Sequence, residues 1–170
     1  MLQQVEGRQR THDKLPTFAQ IEDWWYPIRL SCEQCSSEAT ARYKAAIIRQ
    51  LGEKQDILID LTGGYGVDTY FLSEQTAQAH YVERNEELCR IAQHNFQIAN
   101  KLIHVHNTSA EDFLAQYSMA ESAATDGQKH VVIYLDPARR DAHGGKVFRI
   151  EDCEPNVIKI LPTLRAISDT

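Results

Sequence analysis

Residues 57–68 read ILIDLTGGYGVD. A short apolar run of strand type passes at once into a segment with glycines at 63, 64 and 66. Glycine lets a backbone turn sharply, so this is a strand that ends in a tight turn and enters a helix, read over 67–76. The same alternation continues downstream. AHYVE (79–83) reads as a second strand and EELCRIAQHNFQIAN as a helix, with Leu88, Ile91, Ala92 and Ile98 on one face and Asn85 as its cap. LIHVHN (102–107) reads as a third strand, EDFLAQY as a short helix and SMAESAATDGQKH as a polar loop. HVVIYLD (130–136) has the continuous apolar centre of a strand buried on both faces. PNVIKILPTLRAI reads as a helix with Pro155 at an early position and Pro162 kinking or ending it. Strand and helix in strict alternation specify right-handed crossovers and an open parallel sheet with helices on both faces.

Upstream of the first strand the sequence changes character. Residues 1–14 are polar and are expected to be loose. Residues 15–30 (LPTFAQIEDWWYPIRL) hold Trp24, Trp25 and Tyr26, an aromatic cluster expected to dock an amino-terminal helix onto the core. In SSEATARYKAAIIRQL, Tyr43, Ile47 and Leu51 recur at the spacing of one helix face. Ser36 or Ser37 can cap that helix and Gly52 can end it. The division predicted is a helical extension over 1–51 followed by a ligand-binding domain over 52–170.

Composition excludes several classes of function. The chain has 170 residues, 42% hydrophobic and 25% charged, which fits one globular core. It carries no apolar run of about 18 residues and no signal-peptide core, so a cytoplasmic protein without a membrane partner is expected. With 18 basic and 24 acidic residues the net charge is −6, so any nucleic acid must be gripped by a local basic patch. One such patch is RRDAHGGKVFR (139–149), where Arg139, Arg140, Lys146 and Arg149 outweigh Asp141 to give a local charge of +3. Four cysteines do not make a disulfide framework. Cys32 and Cys35 form a CxxC pair, but Cys89 and Cys153 stand alone, so no metal site is predicted. His104 and His106 share a face of the third strand and are read as ordinary residues.

Ligands of open parallel sheets bind beyond the carboxyl ends of the strands, and every notable motif falls there. The first strand ends in Asp60 and the glycine turn. A dinucleotide site wants GxGxxG, but Thr69 occupies the third glycine's place, and Asp60 puts negative charge where a diphosphate would lie. Such charge favours a ligand carrying an amino group and a sulfonium. The second strand ends in Glu83, 23 residues on, placed to accept hydrogen bonds from ribose hydroxyls. The third runs into Ser109, Ala110, Glu111 and Asp112, which either read an adenine or simply cap a helix. The fourth delivers Asp136-Pro137-Ala138-Arg139, a rigid lip at the cleft.

Taken together, residues 36–140 resemble class I S-adenosylmethionine-dependent methyltransferases: DLTGGYG matches that family's glycine motif, Glu83 its ribose acid and DPAR its fourth-strand motif. EQCSSEATARYKA and DPARRD further resemble bacterial methyltransferase-like proteins related to the THUMP-associated RNA methyltransferases. The resemblance implies a Rossmann-like sheet and S-adenosylmethionine as cofactor. It implies that Asp60 and the backbone of Gly63, Gly64 and Gly66 hold the methionine end, with Thr62 and Asp68 alongside. Glu83 would hold the ribose, with Arg84 beside it, and Ser109, Ala110 and Glu111 would lie near the adenine. Asp136, Pro137, Ala138 and Arg139 would be catalytic. Methyl transfer to a base nitrogen of RNA is the activity implied, with Asp136 or the Pro137 and Ala138 carbonyls orienting the attacking amine.

The departures are Ala138 and Arg139, which stand where the family has a second proline and an aromatic residue that stacks on a flipped base. The family's sheet has seven strands and four are legible here, so a sheet truncated after the fourth strand and its helix is expected. An uncovered strand edge then predicts dimerisation or strand exchange. Two rivals are a non-catalytic module that binds S-adenosylmethionine or RNA, and a nicotinamide-dependent oxidoreductase.

Overall fold

The computed structural model describes residues 2–51, 55–123, 130–138 and 149–168. Four strands form one parallel sheet in the order β3-β2-β1-β4: β1 (Gln55–Asp60), β2 (Thr76–Glu83), β3 (Ile103–Asn107) and β4 (Val131–Tyr134). The order reverses between β1 and β4, so the crevice of a doubly wound sheet opens at their carboxyl ends.

The amino-terminal segment supplies α1 (Leu2–Thr11), α2 (Pro16–Ala19), α3 (Arg29–Gln34) and α4 (Glu38–Gln50). α5 (Val67–Leu72) follows the glycine turn, α6 (Glu86–Ile98) follows β2, α7 (Ala110–Ala123) follows β3, and α8 (Val157–Ile167) follows β4. The sheet is covered on both faces. One core joins Leu58, Tyr81 and Val132 to Phe71, Phe96, Ala41 and the amino-terminal Leu15, Phe18, Trp24 and Tyr26. The other joins Ile57, Ile59 and Val82 to Phe113, Leu114 and Ile160. Alternate residues of β1 thus face opposite cores, which is why this strand reads as a nearly unbroken apolar run.

Several expectations change in detail. Residues 2–11 are helical rather than loose, because their polar side chains bind backbone: Gln3 and Gln4 both donate to the Tyr26 carbonyl and Arg8 donates to that of Ala19. The α4 face of Tyr43, Ile47 and Leu51 is exposed, at 68%, 43% and 46%. The buried face is Ala41, Ala45 and Ile48, where small alanines let the helix approach its neighbours. Ser37, not Ser36, caps α4 by accepting from the Thr40 amide, whereas Gly52 lies outside the described residues. Asn85 caps α6 as expected, accepting from the Leu88 amide at 3.1 Å. α7 continues beyond Tyr117 into part of the segment read as loop. Pro155 precedes the cap residue Asn156 instead of entering α8. Pro162 sits inside α8 without ending it, and both it and Ile158, one turn earlier, lie on the exposed side of the helix.

Candidate cofactor cleft

The turn after β1 is built around Asp60. Its carboxyl is 1% exposed and bonds inward, accepting from the Thr62 amide at 2.9 Å and from the Thr69 hydroxyl at 2.5 Å. Burial pushes the Asp60 carboxyl up to about 7. Asp60 braces the turn from within through these bonds, and its side chain is not among those lining the cleft. Thr69, in the place of a third dinucleotide glycine, is likewise fully buried and committed to that brace.

Gly64 and Gly66 take left-handed backbone, with φ of +53° and +83°, which sends the chain back over the end of the sheet before α5 begins. Gly63 passes against the ring of Tyr81, whose hydroxyl donates to the Gly64 carbonyl at 2.6 Å. Glu83, at the end of β2, reaches over this turn. One of its oxygens accepts from the Gly64 amide at 3.0 Å and the other from the Asn85 amide at 2.8 Å. A carboxylate offers about four lone-pair positions, so each oxygen keeps capacity for a ligand hydroxyl.

The result is an open cleft of about 770 Å³ beyond the strand ends. Every other sequence-predicted residue within the described residues lines it: Thr62, Gly63, Gly64, Gly66, Asp68, Glu83, Arg84, Ser109, Ala110, Glu111, Asp136, Pro137 and Ala138. Arg139 and the segment 140–148 lie outside the described residues. Ser109 also caps α7, accepting from the Asp112 amide at 3.0 Å, so its side chain serves the helix as well as the wall of the cleft. Asp136 is exposed, and its amide donates to the Thr62 hydroxyl at 2.8 Å, which ties the turn after β4 to the glycine turn.

Sequence reasoning missed two contributions. The amino-terminal segment forms one lip through Ile28, Leu30, Gln34, Cys35 and Ser36. Behind it, Asp68 accepts from Lys44 at 2.9 Å, Ser36 at 2.9 Å and the Tyr134 hydroxyl at 3.0 Å. The sequence pattern gave no sign of this, because Ser36 lies before the Ser37 cap of α4 and Tyr134 arrives from a distant strand. The second contribution is Glu154, which pairs with Arg84. Among the described residues lining the cleft, five carboxylates (Asp68, Glu83, Glu111, Asp136 and Glu154) face a single cation, Arg84.

No protein-family model matches the chain, and no curated protein matches it. Solved structures do. A proposed methyltransferase from Porphyromonas gingivalis W83 superposes with a TM-score of 0.75 and 30% identity over 98% of this chain. A proposed O-methyltransferase from Klebsiella pneumoniae gives 0.57 and 16% over 79%, and a SAM-dependent methyltransferase from Agrobacterium tumefaciens gives 0.51 and 16% over 77%. The fold is therefore the Rossmann-like fold of methyltransferases. The chain spans 38% of the Porphyromonas protein, 53% of the Klebsiella protein and 40% of the Agrobacterium protein.

Proposed function

We propose that the chain is the cofactor-binding part of an S-adenosylmethionine-dependent methyltransferase acting on a base nitrogen of RNA. The observation that carries this is the acidic cleft: Glu83 stands over a tight glycine turn, and the carboxylates lining it outnumber the cations. A field of that sign favours a nucleoside bearing an ammonium and a sulfonium over a pyrophosphate. It also weighs against the nicotinamide reading, as does the committed Thr69. The resemblance of the motifs and the 30% identity to a proposed methyltransferase point the same way.

The residues fit the cofactor. A Cβ at Gly64 would meet only the Thr62 carbonyl oxygen, at 3.8 Å, so backbone and ligand can approach closely, and Glu83 keeps acceptor capacity for two ribose hydroxyls. Bound there, S-adenosylmethionine supplies an electrophilic methyl. The protein's part is positioning. Ser109, Ala110 and Glu111 close the adenine end, while Asp68 and the glycine turn hold the methionine end. Asp136 and the carbonyls of Pro137 and Ala138 accept a hydrogen bond from the acceptor amine and direct its lone pair, with Arg139 beside them in sequence.

RNA is favoured by the +3 charge of 139–149 in an otherwise acidic chain. The outer edge of β4 is unpaired among the described residues, which supports self-association by edge pairing or strand exchange. Among the described residues no helix is long and apolar enough to cross a membrane.

Calorimetric titration with S-adenosylhomocysteine tests the site, and binding in a 1:1 ratio is expected. Tritium-methyl transfer to total RNA, wild type against Asp136→Ala, tests the chemistry. Incorporation by wild type and its loss in the variant are expected, whereas equal incorporation removes Asp136 from the mechanism.

A further inference from the structure

Glu154 comes from the segment just before α8, far in sequence from every motif of the cleft, and it is joined to the cleft in two ways. Its backbone pairs with Ala138 in both directions, with the Ala138 amide donating to the Glu154 carbonyl at 2.8 Å and the Glu154 amide donating back at 3.2 Å. Its carboxylate takes both terminal nitrogens of Arg84 in a two-pronged ion pair, one contact at 2.8 Å. Arg84 directly follows Glu83 at the end of β2.

The sheet order makes this pairing unusual. β2 and β4 are not neighbours, because β1 lies between them, so their ends stand roughly 10 Å apart. The end of β1 in that gap is the glycine turn. The Arg84–Glu154 pair therefore links the end of β2, next to Glu83, to the acceptor turn after β4, although β1 lies between the two strands. Both side chains line the cleft.

We propose that this pair is a latch across the cofactor cleft, with Glu154 as a positioning residue that couples the acceptor turn 136–138 to the occupied cofactor site. The proposal rests on the methyltransferase reading above. Closed, the latch holds a nucleoside gripped by Glu83 and fixes the distance of Ala138 from it. Open, it lets the nucleoside leave and frees the acceptor turn on that side. Arginine suits the task because its planar fork matches a carboxylate with both prongs. Arg84 and Glu154 are 61% and 41% exposed, so the pair is weak enough to open in each cycle.

The test is the dissociation rate of S-adenosylhomocysteine, followed by stopped-flow fluorescence in wild type, Arg84→Ala, Glu154→Ala and the charge-exchanged double variant R84E/E154R. Each single variant should release the ligand roughly twofold to fivefold faster, the range an exposed two-pronged pair can supply. The exchanged pair should return the rate toward wild type. Raising the salt concentration should speed release from wild type and leave Glu154→Ala unchanged. Thermal melting of each variant separates the latch from a folding defect, because the exposed pair should move the midpoint little. Unchanged release in both single variants, or an exchanged pair that only sums their effects, overturns the latch and leaves the cofactor site standing. A wild-type chain that takes up no S-adenosylhomocysteine overturns the methyltransferase reading and the latch with it.

Discussion

Position 63 has room for glycine alone. A Cβ built there would sit 2.3 Å from Cε2 of Tyr81, a ring with no exposure and with its hydroxyl bonded to Gly64. Gly63→Ala must push that ring or the turn aside, at a cost of about 1–3 kcal/mol. For a chain of this size that lowers the melting midpoint by roughly 2–4 °C per kcal/mol, and scanning calorimetry should show the loss alongside weakened S-adenosylhomocysteine binding. Asp60 makes a prediction of opposite character. Its buried carboxyl titrates near 7 when folded and near 3.8 in its ordinary state, so it favours the folded chain fully only below about pH 3.8. That contribution is lost as pH rises toward 7, with a slope of up to about 1.4 kcal/mol per pH unit. In Asp60→Asn the slope disappears, and urea midpoints measured from pH 4 to 7 should rise relative to wild type across the window.

At the scale of elements, β2, β3 and α7 share a histidine stack. His80 Nδ1 and His106 Nε2 are 3.0 Å apart, His104 stacks on His80 from the same face, and Phe113 and Tyr117 close over them. Burial and the neighbouring rings lower His80 to about 4 and lower His106 as well. Both therefore support the fold above their ordinary value of 6.5, and that support is lost as pH falls through the interval toward 4. Measured as urea midpoints relative to wild type, His80→Gln should gain stability as pH falls from 6.5 to 4, opposite in sense to Asp60→Asn, whose gain grows as pH rises through the same interval. These elements were legible in unequal degree. The strands could be read because each is an apolar run ending in a polar or glycine signal. The stack could not, because it needs the register that sets His80 beside His104. The buried face of α4 was hidden by its chemistry: alanine makes the close contact, whereas the larger Tyr43, Ile47 and Leu51 look outward. The inward orientation of Asp60 was hidden for a related reason. A carboxylate at a strand end is legible, but whether it faces ligand or protein depends on Thr69, nine residues later.

At the scale of the whole molecule, the amino-terminal segment and the sheet share one core, and the cofactor turn is where they meet. Tyr65 stands between Gly64 and Gly66 and is 5% exposed; its hydroxyl accepts from the Trp24 indole N–H at 2.8 Å and donates to the Trp25 carbonyl at 3.2 Å. Trp24 in turn stacks on Phe18, with ring centroids 4.1 Å apart, and Phe18 stacks on Phe71 of α5. The aromatic cluster thus props the glycine turn from behind, in addition to docking the extension. Two substitutions separate these roles. Trp24→Ala removes the packing and should cost about 3–5 kcal/mol, enough to shift thermal unfolding by many degrees. Trp24→Phe keeps most of the ring but removes the N–H, so it should cost on the order of 1 kcal/mol. Because the lost hydrogen bond ends on Tyr65, between the two left-handed glycines, the second variant should lose affinity for S-adenosylhomocysteine out of proportion to its small loss of stability. Calorimetric titration beside thermal melting would check this, and a Trp24→Phe chain that binds as tightly as wild type would confine the cluster to packing.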